Sequence, residues 1–155
     1  MTKKRVLIAN RGEIALRIIR SVKELDMEAI AVYSDVDADS LHVKRADESY
    51  YLGGSLPSES YRNIKKLIKA ITETKADMVH PGYGFLAENA DFAKAVQKKD
   101  VIWIGPSPET IKSMGDKIES RKLISKTGLN PVPGQLKPSR TKREATKDAA
   151  IFGYP

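Results

Sequence analysis

Residues 5–25 read RVLIANRGEIALRIIRSVKEL, a short apolar run followed by a polar turn and an amphipathic stretch. The run Val6–Ala9 is typical of a buried strand, and residues 13–25 bring apolar side chains round at close to the helical period. Those side chains are Ile14, Leu16, Ile18, Val22 and Leu25. A strand that turns tightly into a helix is the first half of a βαβ unit, so this stretch predicts an α/β domain.

The rest of the chain repeats this alternation. Further strands are predicted at residues 29–33, 50–52, 78–79 and 101–104, and the start of another at Ile151–Phe152. Helices are predicted at residues 40–46, 61–74, 88–98, 108–114, 116–127 and 141–150, with Ser60 and Glu88 as caps. The pattern predicts a Rossmann-like open parallel sheet with helices on both faces. Ligands of such sheets bind beyond the carboxyl ends of the strands, which directs attention to the loops there.

Composition excludes several classes of function. The chain has no cysteine, which excludes disulfides, thiolate metal sites and a cysteine nucleophile. It has neither an apolar run of roughly 20 residues nor a signal-peptide pattern, so we expect a cytoplasmic protein without a membrane span. The net charge of +7 is concentrated in residues 117–155, with nine basic and three acidic residues. A basic tail can bind nucleic acid, but only Phe152 and Tyr154 are near for base stacking, so we expect no nucleic-acid partner.

Three loops carry a chemical signal. Residues 9–13 contain one glycine, which disfavours a dinucleotide site, and by themselves indicate a tight turn. Residues 80–89, HPGYGFLAEN, contain glycines that can present backbone N–H groups to a small polar ligand; the alternative is a structural loop with Tyr83 and Phe85 packed down. His80 has no second ligand at zinc spacing. Lys117 stands at a predicted helix start, where the dipole does not favour a cation, so a phosphate or adenine contact is plausible there.

Together these segments resemble the biotin carboxylases, the components of acetyl-CoA, propionyl-CoA, methylcrotonyl-CoA and pyruvate carboxylases that carboxylate biotin. The matching motifs are collinear and span nearly the whole chain. They are KRVLIANRGEIA at 4–15, SDVD at 34–37 with His42, ADE at 46–48, SYRNI at 60–64, HPGYGFLAEN at 80–89, IGP at 104–106, MGDK at 114–117, VPG at 132–134 and GYP at 153–155.

The resemblance implies a Rossmann-like domain at residues 1–114 that precedes an ATP-grasp domain, with linker helices and the start of that domain at 115–155. In this family ATP and bicarbonate give carboxyphosphate, and carbon dioxide passes to biotin on a carrier protein, which works with a carboxyltransferase component. Carried over residue by residue, Lys117 resembles the lysine that contacts ATP, and Tyr83 and Gly84 resemble residues of the biotin pocket. Arg17, Arg20 and Glu24 share one face of the first helix, where bacterial family members form their homodimer; the alternative is a solvated face.

Several family features have no counterpart before Pro155. These are the glycine-rich phosphate loop, a second ATP lysine, the Mg²⁺-binding glutamates, and the arginine and glutamate that handle bicarbonate and biotin. The resemblance therefore assigns no catalytic and no metal-binding residue here. We expect a truncated chain that is inactive alone and binds ATP, Mg²⁺ and biotin weakly, with residues 1–114 folding cooperatively and 128–155 mobile.

Three alternatives stay open from the residues alone. One is the corresponding domain of another ATP-grasp ligase, such as a carbamoyl-phosphate or purine-biosynthesis enzyme, although the motifs at 10–15 and 80–89 favour biotin carboxylase. Another is a stand-alone basic binding module. The third is a nicotinamide-dependent dehydrogenase, which the missing glycine fingerprint disfavours.

Overall fold

A computed structural model describes residues 3–115, 117–129, 132 and 137–153 of the chain. The chain forms two compact units, Met1–Pro108 and Glu109–Pro155. The described residues of the first unit form five strands, four α-helices and a short 3₁₀-helix at Asp35–Asp37. The strands are β1 (Arg5–Ile8), β2 (Glu28–Tyr33), β3 (Glu48–Tyr51), β4 (Met78–His80) and β5 (Ile102–Trp103), and the helices are α1 (Gly12–Glu24), α2 (Leu41–Arg45), α3 (Ile64–Glu73) and α4 (Ala90–Gln97).

The five strands form one parallel sheet in the order β3-β2-β1-β4-β5. The chain therefore builds outward from β1 to β3, then crosses back to add β4 and β5 on the other side. This reversal places a topological switch point between β1 and β4, where ligands of open α/β sheets bind. Ile8 pairs with His80 there, and the Ala9 N–H donates to the His80 carbonyl at 2.9 Å. The loops that follow these two strands consequently begin side by side.

Burial of apolar side chains on both faces of the sheet stabilises this unit. On one face, α1 packs Ala15, Ile19 and Val22 against side chains of β1 and β2. On the other, Phe92 of α4 is fully buried and meets the Trp103 ring edge-on, with 5.4 Å between ring centroids. Each fully buried large apolar side chain contributes about 1.5–3 kcal/mol. The architecture confirms the predicted α/β fold class.

Several local predictions were wrong. Asn63, not Ser60, caps α3: its side chain accepts from the Lys66 N–H at 3.1 Å, whereas the Ser60 hydroxyl donates to the Leu56 carbonyl. Asn89 likewise caps α4 in place of Glu88. Asparagine is among the strongest N-cap residues because its side-chain oxygen satisfies a free N–H of the first turn.

Among its described residues the second unit contains three helices, α5 (Pro108–Gly115, whose first residue ends the first unit), α6 (Lys117–Lys126) and α7 (Lys142–Phe152). Helix α7 includes Ile151 and Phe152, so the strand predicted there is wrong. Thr141 and Glu144 form a capping box that starts this helix, and Gly153 ends it at a φ of +84°. Asp116, Pro133, Gly134, Tyr154 and Pro155, which belong to predicted motifs, lie outside the described residues. None of the described helices is long and apolar enough to cross a membrane.

Candidate functional site

The loops after β1 and β4 line one open cleft at the switch point. The cleft has a volume of about 460 Å³ and is lined by Asn10, Arg11, Gly12, Glu13, Ile14, Asp37, Tyr83, Gly84 and Phe85. Two motifs that lie 70 residues apart in sequence are thus joined in space. The amino end of α1 opens into the same cleft, so partly positive backbone N–H groups face it beside the Glu13 carboxylate.

Asn10 ties the two loops together. Its side chain is almost fully buried, and its amide nitrogen donates to the carbonyls of Pro81 and Tyr83, both at 2.8 Å. Its amide oxygen accepts from the Arg11 N–H at 2.9 Å. Both side-chain donors are therefore used on one loop, while the oxygen holds the start of the other.

The two glycines of the second loop have different roles. Gly82 has a φ of +66°, and a Cβ there would lie 2.6 Å from the Asn10 amide nitrogen. Gly84 has a φ of +67°, but a Cβ there would meet nothing within 4 Å. The N–H groups of Tyr83 and Gly84 donate no hydrogen bond to any described residue. The first glycine thus allows close packing, and the second leaves backbone open to a ligand or to water.

Tyr83 stands at the edge of the cleft. Its side chain is 63% exposed, and its hydroxyl donates to Glu13 Oε1 at 2.9 Å, a hydrogen bond that raises the pKa of the phenol. Phe85 instead packs down and stacks on Tyr61, with 5.2 Å between ring centroids. The packed-down alternative for this loop therefore holds for Phe85 but not for Tyr83.

Arg11 is a fixed cation at the rim of the cleft. Its Nη1 lies 3.3 Å from Asp37 Oδ2, and its guanidinium carbon lies 5.8 Å from the Tyr61 ring centroid and 5.9 Å from that of Phe85. The Asp37 carboxylate and the two aromatic rings jointly fix the position of the guanidinium, which restricts the rotamers of the long Arg11 side chain. Arg11 is still 43% exposed, so some of its donors are accessible from the cleft.

Asp37 is the buried centre of this network, which was not predicted from the sequence. It accepts hydrogen bonds from Tyr61 at 2.7 Å and Ser34 at 2.9 Å. Burial opposes ionisation of the carboxyl, but these hydrogen bonds and the Arg11 charge outweigh it and lower the pKa of Asp37. Burial and the Asp37 contact raise the pKa of Tyr61 to about 12. The motif residues 34–37 and 60–64 were noted, but no local pattern indicated that they meet.

A buried histidine, His42, and a half-buried one, His80, lie next to the site. His42 is 1% exposed, with Nε2 3.3 Å from the Val32 carbonyl and Nδ1 without a hydrogen-bond partner among the described residues. His80 accepts from the Gly82 N–H through Nδ1 at 3.0 Å. Burial lowers the pKa of both imidazoles, so the folded chain holds them in the neutral form.

We expect the free energy of unfolding to fall as pH is lowered from 7.5 to 5.0. The unfolded chain takes up protons on its histidines below a pKa of about 6.5, whereas the folded chain resists, at up to about 1.4 kcal/mol per pH unit for each proton. Urea unfolding at the two pH values measures the difference. His42→Gln should reduce this pH dependence and leave the part due to His80. An identical pH dependence in the variant would contradict the assignment to His42.

Three other predicted site residues belong to the first unit but do not line the cleft. Arg17, Arg20 and Glu24 are exposed along α1, and none forms an ion pair with another described residue. Lys117 is the first residue of α6, in the second unit, and is exposed. Among the described residues, no group of three histidine or acidic side chains converges as a metal site requires.

Comparison with known proteins identifies relatives of the whole chain. Residues 2–111 match the family model of the biotin carboxylase N-terminal domain. The chain is 47% identical over 151 residues to Biotin carboxylase 2 of Bacillus subtilis, a match that covers 97% of this chain and 34% of that protein. It is 46% identical to the mitochondrial propionyl-CoA carboxylase alpha chain of Homo sapiens, covering 97% of this chain and 21% of the relative.

Solved structures give the same picture. The Campylobacter jejuni biotin carboxylase complex with β-γ-ATP superposes with a TM-score of 0.91 at 42% identity, covering 99% of this chain and 34% of that one. The biotin carboxylase domain dimer of Hydrogenobacter thermophilus 2-oxoglutarate carboxylase, in complex with MgADP, ADP and bicarbonate, gives 0.91 at 41% identity, covering 100% and 34%. The chain therefore spans about a third or less of the length of these relatives.

Proposed function

Because this chain belongs to the family of biotin carboxylase N-terminal domains, we propose that it supplies the amino-terminal part of a biotin carboxylase. The parent activity is the ATP- and bicarbonate-dependent carboxylation of biotin on a carrier protein. The observation that carries the proposal is the match over residues 2–111, which includes both loops of the cleft. The solved relatives in complex with β-γ-ATP and with MgADP, ADP and bicarbonate support the choice of substrates.

In this proposal Tyr83 and Gly84 form one wall of the biotin pocket. Gly84 fits that role because its backbone is open on the cleft side and its N–H is not used within the described residues. Tyr83 fits because its ring is exposed while its hydroxyl is held by Glu13. An exposed ring and a free backbone donor can bind a small, mostly apolar ligand with a few polar atoms.

Lys117 is proposed to contact the nucleotide. An exposed ammonium at the start of α6 can pair with phosphate oxygens, and ATP when bound supplies the phosphoryl group that activates bicarbonate. The described residues provide no carboxylate cluster for Mg²⁺, so we assign it no residue and derive no step through it. We assign residues 1–114 to the Rossmann-like domain, and 115–155 to the linker and the start of an ATP-grasp domain.

Partners follow from the same proposal. A biotin carboxyl carrier protein brings the biotin, and a carboxyltransferase component accepts the carboxyl group. Arg17, Arg20 and Glu24 are proposed to form a homodimer contact, which is supported by their shared exposed face on α1 and by the dimeric Hydrogenobacter domain. We further propose a cytoplasmic location.

A chimera tests the proposed function. This chain would replace the 151 matched residues of Bacillus subtilis Biotin carboxylase 2. We expect the chimera to hydrolyse ATP in a bicarbonate-dependent reaction that free biotin stimulates, whereas the 155-residue chain alone gives no such phosphate release. A folded chimera without biotin-stimulated activity would contradict the proposed function. Robust activity of the chain alone would contradict its assignment as a non-catalytic part.

Two variants of the chimera sharpen the test. Lys117→Gln should raise the KM for ATP by about tenfold through loss of a charge-assisted contact, with little change in the KM for biotin. Lys126→Gln removes the same charge from the last turn of the same helix and should leave both KM values unchanged. Equal effects of the two substitutions would rule out a specific role for Lys117.

A further inference from the structure

We propose that Asn10 is a positioning residue for the biotin-side wall of the cleft, where it sets the orientation of the Gly84 N–H. This inference rests on the proposed function, because it gives Tyr83 and Gly84 a ligand. It concerns a residue that acts through the peptide group between Tyr83 and Gly84. The ligand chemistry it serves is a hydrogen-bond acceptor on biotin.

Backbone and side-chain hydrogen bonds connect the loops that follow β1 and β4. Past the Ala9–His80 backbone bond, the hydrogen bonds that join them within the described residues come from Asn10 and from the Tyr83–Glu13 pair. The Tyr83–Glu13 hydrogen bond is exposed, so water competes for both groups and the bond contributes little to holding the loops. The Asn10 amide is buried, its bond to the Pro81 carbonyl is buried and its bond to the Tyr83 carbonyl is half-buried, so water competes less for these two bonds than for the exposed pair.

One peptide plane links Asn10 to the open side of the loop. The Tyr83 carbonyl and the Gly84 N–H belong to the same peptide group, and the described chain has no cis peptide bond. In a trans peptide the C=O and N–H point in opposite directions. Since the Tyr83 carbonyl points at Asn10, the Gly84 N–H points away from Asn10. The space beside Gly84 is open, as a Cβ there would meet no atom within 4 Å.

The chemistry of this position requires an amide. One nitrogen with two hydrogens reaches two carbonyls that are two residues apart, while the oxygen accepts the Arg11 N–H. An ionised aspartate has the same shape but no donor, so it would place an oxygen against both carbonyls. A serine has a single donor on a shorter side chain. Asp and Ser therefore fit the space without holding the loop.

The first test uses the chimera described above with Asn10→Asp. We expect the KM for free biotin to rise by about tenfold or more, while the KM for ATP changes by less than about twofold. Asn63→Ala is the control, because it removes an asparagine that caps α3 without touching either loop. The control should lower the melting temperature and leave the KM for biotin unchanged. An unchanged KM for biotin in Asn10→Asp, or an equal rise in both KM values, would overturn the proposal.

The second test uses the 155-residue chain itself and keeps the proposal independent of activity. In ¹⁵N-labelled protein, the Asn10 side-chain amide protons should exchange slowly with solvent. Beyond the immediate sequence neighbours of position 10, Asn10→Asp should shift the backbone resonances of Tyr83 and Gly84 most strongly, and Asn63→Ala should not shift them. Unshifted Gly84 resonances in Asn10→Asp would overturn the positioning role of Asn10 even if the chimera is active. An inactive wild-type chimera with shifted resonances would instead count against the proposed function alone.

Discussion

Gly82→Ala is expected to lower the free energy of unfolding by about 3 kcal/mol, through two separate costs. An L-residue in the left-handed region costs about 1–2 kcal/mol, and Gly82 has a φ of +66°. The added methyl group would also lie 2.6 Å from the Asn10 amide nitrogen and 2.8 Å from Ile14 Cγ2. Overpacking of this kind costs about 1–3 kcal/mol because neighbouring groups must move. Urea unfolding followed by circular dichroism measures the sum.

Gly84→Ala separates the two costs. Gly84 has nearly the same backbone conformation, with a φ of +67°, but a methyl group there would meet nothing within 4 Å. We therefore expect the backbone cost alone, about 1–2 kcal/mol. The difference between the two variants measures the close approach of the loop to Asn10. Equal destabilisation by both substitutions would mean that the loop shifts freely and that Asn10 does not hold it.

The sheet could be predicted from the sequence because each strand and helix has a pattern of apolar residues within its own segment. The apolar run before Asn10 and the helical period after it are properties of neighbouring residues, and their alternation along the chain leaves few arrangements of the sheet. Local signals failed where two of them competed. Leu25 continues the apolar period of α1, but the helix ends at Glu24 and Leu25 is 68% exposed. Ile151 reads as a strand residue, but the capping box at Thr141 extends a helix through it.

The cleft could be located from the sequence, but its internal contacts could not. The rule for parallel sheets places ligands at the carboxyl ends of strands. The glycines of residues 80–89 indicated which of these loops can present backbone N–H groups to a ligand. The contact between Asn10 and Tyr83 depends on which strands are neighbours, and that was not visible from either motif. The same holds for Asp37 and Tyr61, which lie 24 residues apart and meet only after the sheet has formed.

The family resemblance added residue roles that folding rules do not provide. Tyr83 and Gly84 were assigned to a pocket before the structure placed them on an open cleft with unused N–H groups. The residue pattern of 80–89 by itself favoured a structural loop and a binding loop equally. That alternative would have predicted a buried Tyr83, and the 63% exposure of this side chain separates it from Phe85. The binding role of this loop stays a prediction.

Asp37→Ala is expected to lower the free energy of unfolding by about 3 kcal/mol. The substitution leaves the hydroxyls of Ser34 and Tyr61 without their acceptor, and both side chains are essentially fully buried. A buried polar group without a partner costs about 1–3 kcal/mol. Arg11 also loses its counter-ion, but its partial exposure keeps that contribution small. Asp39→Ala is the control, since Asp39 lies two residues away and is fully exposed beside Lys44, so unfolding should be unchanged within error.

The pH dependence of stability distinguishes loss of the charge from loss of the packing around it. The pKa of Asp37 is lowered in the folded chain, so the carboxylate stabilises the fold above its unfolded pKa and stops doing so as pH falls through the folded value. Asp37→Asn keeps one acceptor oxygen but has no charge, so its deficit relative to the native chain should shrink as pH is lowered below about 4. Asp37→Ala should keep most of its deficit there, because the two hydroxyls remain unpaired at every pH. A deficit that shrinks equally in both variants would show that charge, rather than the buried hydrogen bonds, holds Arg11 and Tyr61 at the cleft.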